Sequence, residues 1–267
     1  MTLFNLLLIA AIQGITEFLP ISSSGHLILL PALTDLEDQG LVIDVAVHIG
    51  TLFAVMLYFR HDVASAFVGI PDMLRGRIDQ PGARLAFLLA VATVPVMILG
   101  LIFHLTGAME AMRSIALIGW MMIIFGIVLY LTDQNSKNTK TAADWSLRDA
   151  VLLGLWQAIA LIPGTSRSGA CIAGARALGY ARHDAARISM LMSIPTIIAS
   201  GVLMGGDVIV RMDIQAARDG AIAAVMAFFA ALAALAFMMK LLQTISFTPY
   251  VVYRLVLGVV LLWVAYS

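Results

Sequence analysis

The sequence predicts an all-α polytopic membrane protein of about six transmembrane helices plus two re-entrant helical hairpins, in an inverted-topology repeat. Three observations carry this. Of 267 residues, 61% are apolar and only 12% charged, and the mean hydropathy is +0.98, well outside the range of soluble domains. Apolar runs at 44–59, 85–103, 115–131, 186–205, 221–239 and 250–266 approach or reach the roughly 20 residues that a helix needs to cross the hydrocarbon core. Two further apolar runs, ending near Thr16 and Ile162, each stop at a proline followed by hydroxyls and glycine.

The first of these, Leu3 to Thr16, is too short to span a membrane. Pro20 cannot donate a backbone hydrogen bond and disfavours helix at Leu19, so the helix is expected to stop inside the membrane. Ser22, Ser23 and Ser24 are N-cap candidates for a new helix through Gly25, His26 and the apolar residues 27–30. A polar turn at 34–41 closes the hairpin. The first span follows, ending at Tyr58, Phe59 and Arg60, and residues 60–84 read as a loop bearing Arg60, Arg75, Arg77 and Arg84. Two more spans complete the first half, residues 1–132, of a single membrane domain covering 1–267.

The second half, 149–267, opens on Leu152 to Ile162 and then Pro163-Gly164-Thr165-Ser166-Arg167-Ser168-Gly169. At a constant offset of 144, Gln13 meets Gln157, Ile15 meets Ile159, Ser22 meets Ser166, Ser24 meets Ser168 and Gly25 meets Gly169. The shared order of apolar helix, proline break, hydroxyl cap and glycine reads as an internal repeat.

Charge counting supports the same topology. With both broken segments re-entrant, twelve Lys and Arg fall on one side (60, 75, 77, 84, 137, 140, 148, 176, 182, 187, 240, 254) and three on the other (113, 211, 218). Treated as full crossings, they split nine to six. The positive-inside rule prefers the first arrangement. Three spans per half is an odd number, so the second half enters the membrane inverted, and the tips 20–25 and 163–169 would meet near the midplane.

Sixteen basic residues balance sixteen acidic ones and leave no basic surface for nucleic acid. The single cysteine, Cys171, excludes an intrachain disulfide. The first charged residue is Glu17, so the N-terminus lacks the basic region of a signal peptide.

Ionisable groups inside a membrane mark function by default. Two helix N-termini converging at the tips would make an anion site, and Arg167 adds a fork of donors suited to phosphate oxygens. Gln13, Ser22, Ser24, Gly164, Thr165, Ser166 and Ser168 are the candidate phosphate-binding groups. Glu17, one turn from Gln13, reads as a general base, a ligand for Mg2+ or Ca2+, or a proton carrier. His26, three residues after Ser23, reads as a base or as a nucleophile. Of the other histidines, His61, His104 and His183 are interfacial, and His48, one turn from Asp44, has a supporting role open to it.

The segments QGITEFLPISSSGHL and PGTSRSGA closely resemble the two signature motifs of the bacitracin-resistance family of undecaprenyl-pyrophosphate phosphatases. Their order and spacing match over essentially the whole chain. The resemblance implies a multi-pass enzyme of the bacterial cytoplasmic (inner) membrane, with its active site open toward the periplasm. It would remove the terminal phosphate of a polyprenyl pyrophosphate lipid with a divalent cation, Mg2+ or Ca2+, held at Glu17; a homodimer is an open assembly state. Carried over position by position, the functional residues are Gln13, Glu17, Ser23, His26, Ser166 and Arg167. Gln13 stands where the family carries Glu or Gln, so only one carboxylate remains for a metal, and Cys171 stands where Thr is common. The implied chemistry is phosphoryl transfer to a side chain, Ser23 or His26, followed by hydrolysis. The rival reading, a lipid-phosphate transporter or flippase, would use the same midplane anion site.

Overall fold

A computed structural model describes residues 2–27, 40–112, 114–211 and 213–267. The described residues form helices and turns, with α1 at Leu3–Phe18, α2 at Gly40–Tyr58, α3 at Arg60–Leu74, α4 at Pro81–Thr106 and α5 at Ile115–Gln134. The second half contributes α6 at Leu147–Ile159, α7 at Arg167–Ala177, α8 at Arg182–Arg211, α9 at Ile214–Leu241 and α10 at Thr248–Tyr266. Six of these, α2, α4, α5, α8, α9 and α10, are long and apolar enough to cross a membrane. Each matches one of the runs read from the sequence. Residues 28–30, Arg113 and most of the polar turn expected at 34–41 lie outside the described residues.

Residues 60–84 are not the loop expected. α3 occupies their first part, and its Gly69 packs so closely on α4 that an added Cβ would stand 2.3 Å from the Ala83 nitrogen. Phe67, Val68 and Leu74 remain exposed on its outer face. Charges at its start and Pro71 near its end hide this helix from a hydropathy reading.

Packing rests on small residues, because inside lipid close backbone approach replaces the hydrophobic drive between helices. Ala223, Ala227, Ala231 and Leu235 recur at intervals of four along α9 and are fully buried. Against them, a Cβ on Gly14 of α1 would stand 2.8 Å from the Ala227 carbonyl, and one on Gly50 of α2 would stand 2.1 Å from that of Ala224. Thus α1 lies on the second span of the other half. α6 does the reverse: Gly154 faces the Ala92 carbonyl of α4, where a Cβ would meet it at 2.7 Å. The third spans, α5 and α10, cross at Gly119 and Gly258, each of which would place a Cβ about 3 Å from the other's carbonyl oxygen (3.1 and 3.0 Å).

At the loop end of α5, Asp133 is buried and accepts from Arg176 Nε at 2.7 Å, Arg182 Nε at 2.9 Å and the Phe247 amide at 3.3 Å. This carboxylate ties α5, α7, α8 and α10 together. Nearby, the Thr141 amide and hydroxyl hold the Asp144 carboxyl below the ordinary carboxylate range.

Candidate active site

Both broken helices stop where their prolines require. Leu19, before Pro20, is extended at φ −69°, ψ 142°, and the helix resumes at residue 23. α6 tightens through Ala160, Leu161 and Ile162, whose amides donate to carbonyls three residues back, before Pro163. Beyond each break, one serine adopts the left-handed backbone that side chains rarely enter: Ser22 at φ 69° and Ser166 at φ 70°. The two hydroxyls then make matching bonds, Ser22 Oγ to Ser24 Oγ at 3.0 Å and Ser166 Oγ to Ser168 Oγ at 3.2 Å. Such a conformation costs roughly 1–3 kcal/mol and persists where its surroundings enforce it, often at functional sites.

The tips touch. Ser168 Oγ donates to the Leu19 carbonyl at 2.9 Å, and the Gly164 amide donates to Ser24 Oγ at 3.4 Å. Between them lies Arg254 of α10, fully buried. Its guanidinium donates to Pro20 O at 3.2 Å, Gly164 O at 3.1 Å, Thr165 O at 2.9 Å, Met121 O at 3.4 Å and Met122 O at 3.2 Å. Arg254 was counted above as a loop-side charge; it belongs to the site instead, and the asymmetry then stands at eleven against three.

Glu17, in the last turn of α1, is the hub. Its Oε1 accepts from Arg167 Nη2 at 2.7 Å, which brings the two motifs together. Its Oε2 accepts from Ser23 Oγ at 3.2 Å and Gln13 Nε2 at 2.8 Å, and lies 3.8 Å from His48 Nε2. Arg167 also reaches the Ser189 carbonyl at 3.4 Å. Glu17 and Arg167 side chains are mostly covered, at 9% and 15% exposure, whereas Ser24 is exposed and Ser23 half-buried. The polar cluster therefore opens along the Ser23–Ser24 side.

His26 is held elsewhere. Its Nδ1 faces the Ser22 carbonyl at 2.7 Å, and a carbonyl only accepts, so Nδ1 carries the proton. Its Nε2 accepts from the Tyr253 hydroxyl at 2.6 Å, with the two rings parallel within 5°. Thus Ser23 bonds to Glu17, while His26 bonds to Ser22 and Tyr253. Thr165 is buried with its hydroxyl lacking a hydrogen-bond partner. Cys171 is buried, its thiol 3.9 Å from Gln157 Oε1.

Tyr253 and Arg254 were missed from the sequence, although the signal was there: an arginine inside the apolar run 250–266 is costly in a membrane and marks a site by default. His48 was seen only as a supporting residue, and Gln157, the counterpart of Gln13, lies fully buried against Ala92.

The comparisons agree along the whole chain. The family model described as bacitracin resistance protein BacA matches residues 6–260. The undecaprenyl-diphosphatase of Ruegeria pomeroyi is 66% identical and that of Jannaschia sp. 64% identical, each over 100% of both chains. That of Maricaulis maris is 44% identical over 98% of both. The chain belongs to the bacitracin resistance protein BacA family.

Proposed function

We infer that this protein hydrolyses undecaprenyl diphosphate to undecaprenyl phosphate and inorganic phosphate, so recycling the lipid carrier of cell-wall synthesis. The single observation that carries the chemistry is the chain Ser23–Glu17–Arg167, which joins a hydroxyl, a carboxylate and a guanidinium drawn from the two breaks. A hydroxyl bonded to a buried carboxylate is an activated nucleophile. Ser23 Oγ attacks the terminal phosphorus while Glu17 Oε2 takes its proton, and the bond to the bridging oxygen breaks to release undecaprenyl phosphate. Water then hydrolyses the seryl phosphate. Arg167 and the amides opening α7 face the charge that spreads over the transferred phosphoryl oxygens. Tyr253 fixes the His26 imidazole at the edge of the same broken segment, against the Ser22 carbonyl.

A divalent cation, when bound, supplies further charge neutralisation at the diphosphate. Among the described residues no group of three His, Cys, Asp and Glu could hold a metal. Glu17 is the carboxylate of the site that would hold such an ion, Mg2+ or Ca2+ by the family pattern.

The architecture supports two inverted halves, 1–132 and 149–267, each a re-entrant hairpin and three spans. Matching serine conformations at the offset of 144 and the reciprocal Gly119–Gly258 contact are what one two-fold relation between the halves would produce, and they support it. The six apolar helices and the family resemblance support a multi-pass protein of the cytoplasmic membrane whose tips open toward the periplasm. The transport reading draws no support from the relatives, which are named for hydrolysis.

The test uses the full chain purified in detergent with undecaprenyl diphosphate labelled on the terminal phosphate. Phosphate release that falls by about 100- to 1,000-fold in Arg167→Ala is expected, with label trapped on Ser23 in the unaltered chain. Label found on His26 instead would overturn the Ser23 assignment, and absence of release would overturn the activity.

A further inference from the structure

α3 turns one face to the protein and leaves the other bare. Asp62 accepts from Arg187 Nε of α8 at 3.0 Å, and Gly69 and Gly82 let the backbones of α3 and α4 meet: a Cβ on Gly82 would stand 2.2 Å from the Ser65 carbonyl oxygen. Asp62, Ser65 and Gly69 share one helix face. Opposite them, Ala64, Phe67, Val68, Pro71 and Leu74 fall at helical spacing and form an apolar stripe. Phe67 is 74% exposed, and Val68 and Leu74 are each 76% exposed. Left in water, such a stripe is costly, and it marks a surface that something covers.

Where the stripe lies decides what covers it. α3 begins directly after the end of α2 and stops before the start of α4, so it sits on one side of the membrane between two crossing helices. At 15 residues it is too short to cross. α4 has 26 residues. That is about 39 Å at the helical rise, against a hydrocarbon core of about 30 Å. Arg84, exposed near the start of α4 and donating to the Trp145 carbonyl at 3.1 Å, sets that end in the headgroup layer. There α3 crosses it, at Gly82 and Ala83. The stripe thus continues the lipid-facing side of α2, where Phe53 and Leu57 are also exposed. Arg60 stands at its start and Arg75 and Arg77 just past its end, all exposed, against Asp79 as the one exposed acid of residues 60–80.

We propose that α3 lies in the plane of the membrane, with Phe67, Val68 and Leu74 in the acyl layer and Arg60, Arg75 and Arg77 holding the headgroups of anionic phospholipids. Helices of this kind gain both from apolar burial and from attraction to anionic lipid. A second copy of the chain fits the stripe less well. Two-fold pairing along it sets Arg60 against Arg75 when antiparallel and each arginine against its own copy when parallel, so like charges meet either way. The surface lies outside the chemistry at the tips and does not depend on it.

The experiment places nitroxide labels on the full chain at Phe67→Cys and Leu74→Cys, with Asp79→Cys as the water-facing control, in vesicles of phosphatidylcholine alone or mixed with phosphatidylglycerol. Cys171 is buried, and the chain without an added cysteine is the labelling blank. Labels at 67 and 74 should relax with oxygen, which dissolves in the acyl layer, and be shielded from a water-soluble nickel chelate; the label at 79 should do the reverse. Spin-labelled phosphatidylglycerol should associate with the protein in preference to spin-labelled phosphatidylcholine. Replacing Arg60, Arg75 and Arg77 together by Gln should lower that preference by about fivefold or more, with the label at 67 still in the acyl layer. Labels at 67 and 74 that the chelate reaches would overturn the proposal. So would an undiminished lipid preference in the triple variant, or coupling between labels at 67 on two chains that persists on dilution into excess lipid, which would give the stripe to a second copy.

Discussion

Arg167 Nη2 lies 2.7 Å from Glu17 Oε1, so the guanidinium of one break and the carboxylate of the other meet across 150 residues of chain. Removing either side leaves a charge in a covered site with its partner gone. Arg167→Ala is expected to lower kcat by about 100- to 1,000-fold, the loss typical of one transition-state donor. Arg167→Lys should recover only part of this, because an ammonium lacks the two-pronged fork. Equal activity of the Lys and wild-type proteins in a phosphate-release assay would show that charge alone matters there.

Arg254 acts at one remove, since all its bonds go to backbone carbonyls, those of Pro20, Gly164 and Thr165 among them. Arg254→Met keeps the bulk and removes the donors. Hydrogen bonds from a charged group contribute about 1.5–3 kcal/mol each, so a fall in thermal stability is expected. With it should come a kcat loss that exceeds any change in KM, because the tips lose their mutual register. A variant that melts like the wild type and turns over normally would remove Arg254 from the positioning role.

The left-handed backbone at Ser22 and Ser166 makes a prediction in two directions. Glycine enters that region freely, whereas a β-branched residue does not. Ser22→Gly should leave the melting temperature nearly unchanged, with the lost Ser24 bond offsetting the relieved strain. Ser22→Val should destabilise by roughly 2 kcal/mol. The paired substitutions at Ser166 should rank the same way, with Ser166→Gly costing more because its hydroxyl also caps the Gly169 amide at 3.2 Å. A reversed order in either pair would count against the shared geometry.

Asp133 is the stability counterpart of Glu17. It is buried and balances the fully buried Arg176, with Arg182 beside it. Asp133→Ala should cost about 3–5 kcal/mol, as expected for an uncompensated buried charge. Loss of melting temperature without change in KM for the protein that remains folded is the expected pattern; an unaltered melt would contradict it.

Much of this was legible before any coordinates. Prolines 20 and 163 stop helices wherever they fall, and hydropathy over some twenty residues is a local property, so the breaks, the six spans and the polar cluster from Gln13 to His26 are written along the chain. Arg167 stood out because a cation among hydroxyls inside an apolar stretch has few other uses. What packing alone could establish is partnership. Arg254 reaches Pro20 across 234 residues and Tyr253 reaches His26 across 227. His48 meets Gln13 only because glycine and alanine faces let α1 and α2 both close on α9. Such pairs depend on where whole helices cross, and no spacing rule within one helix contains that.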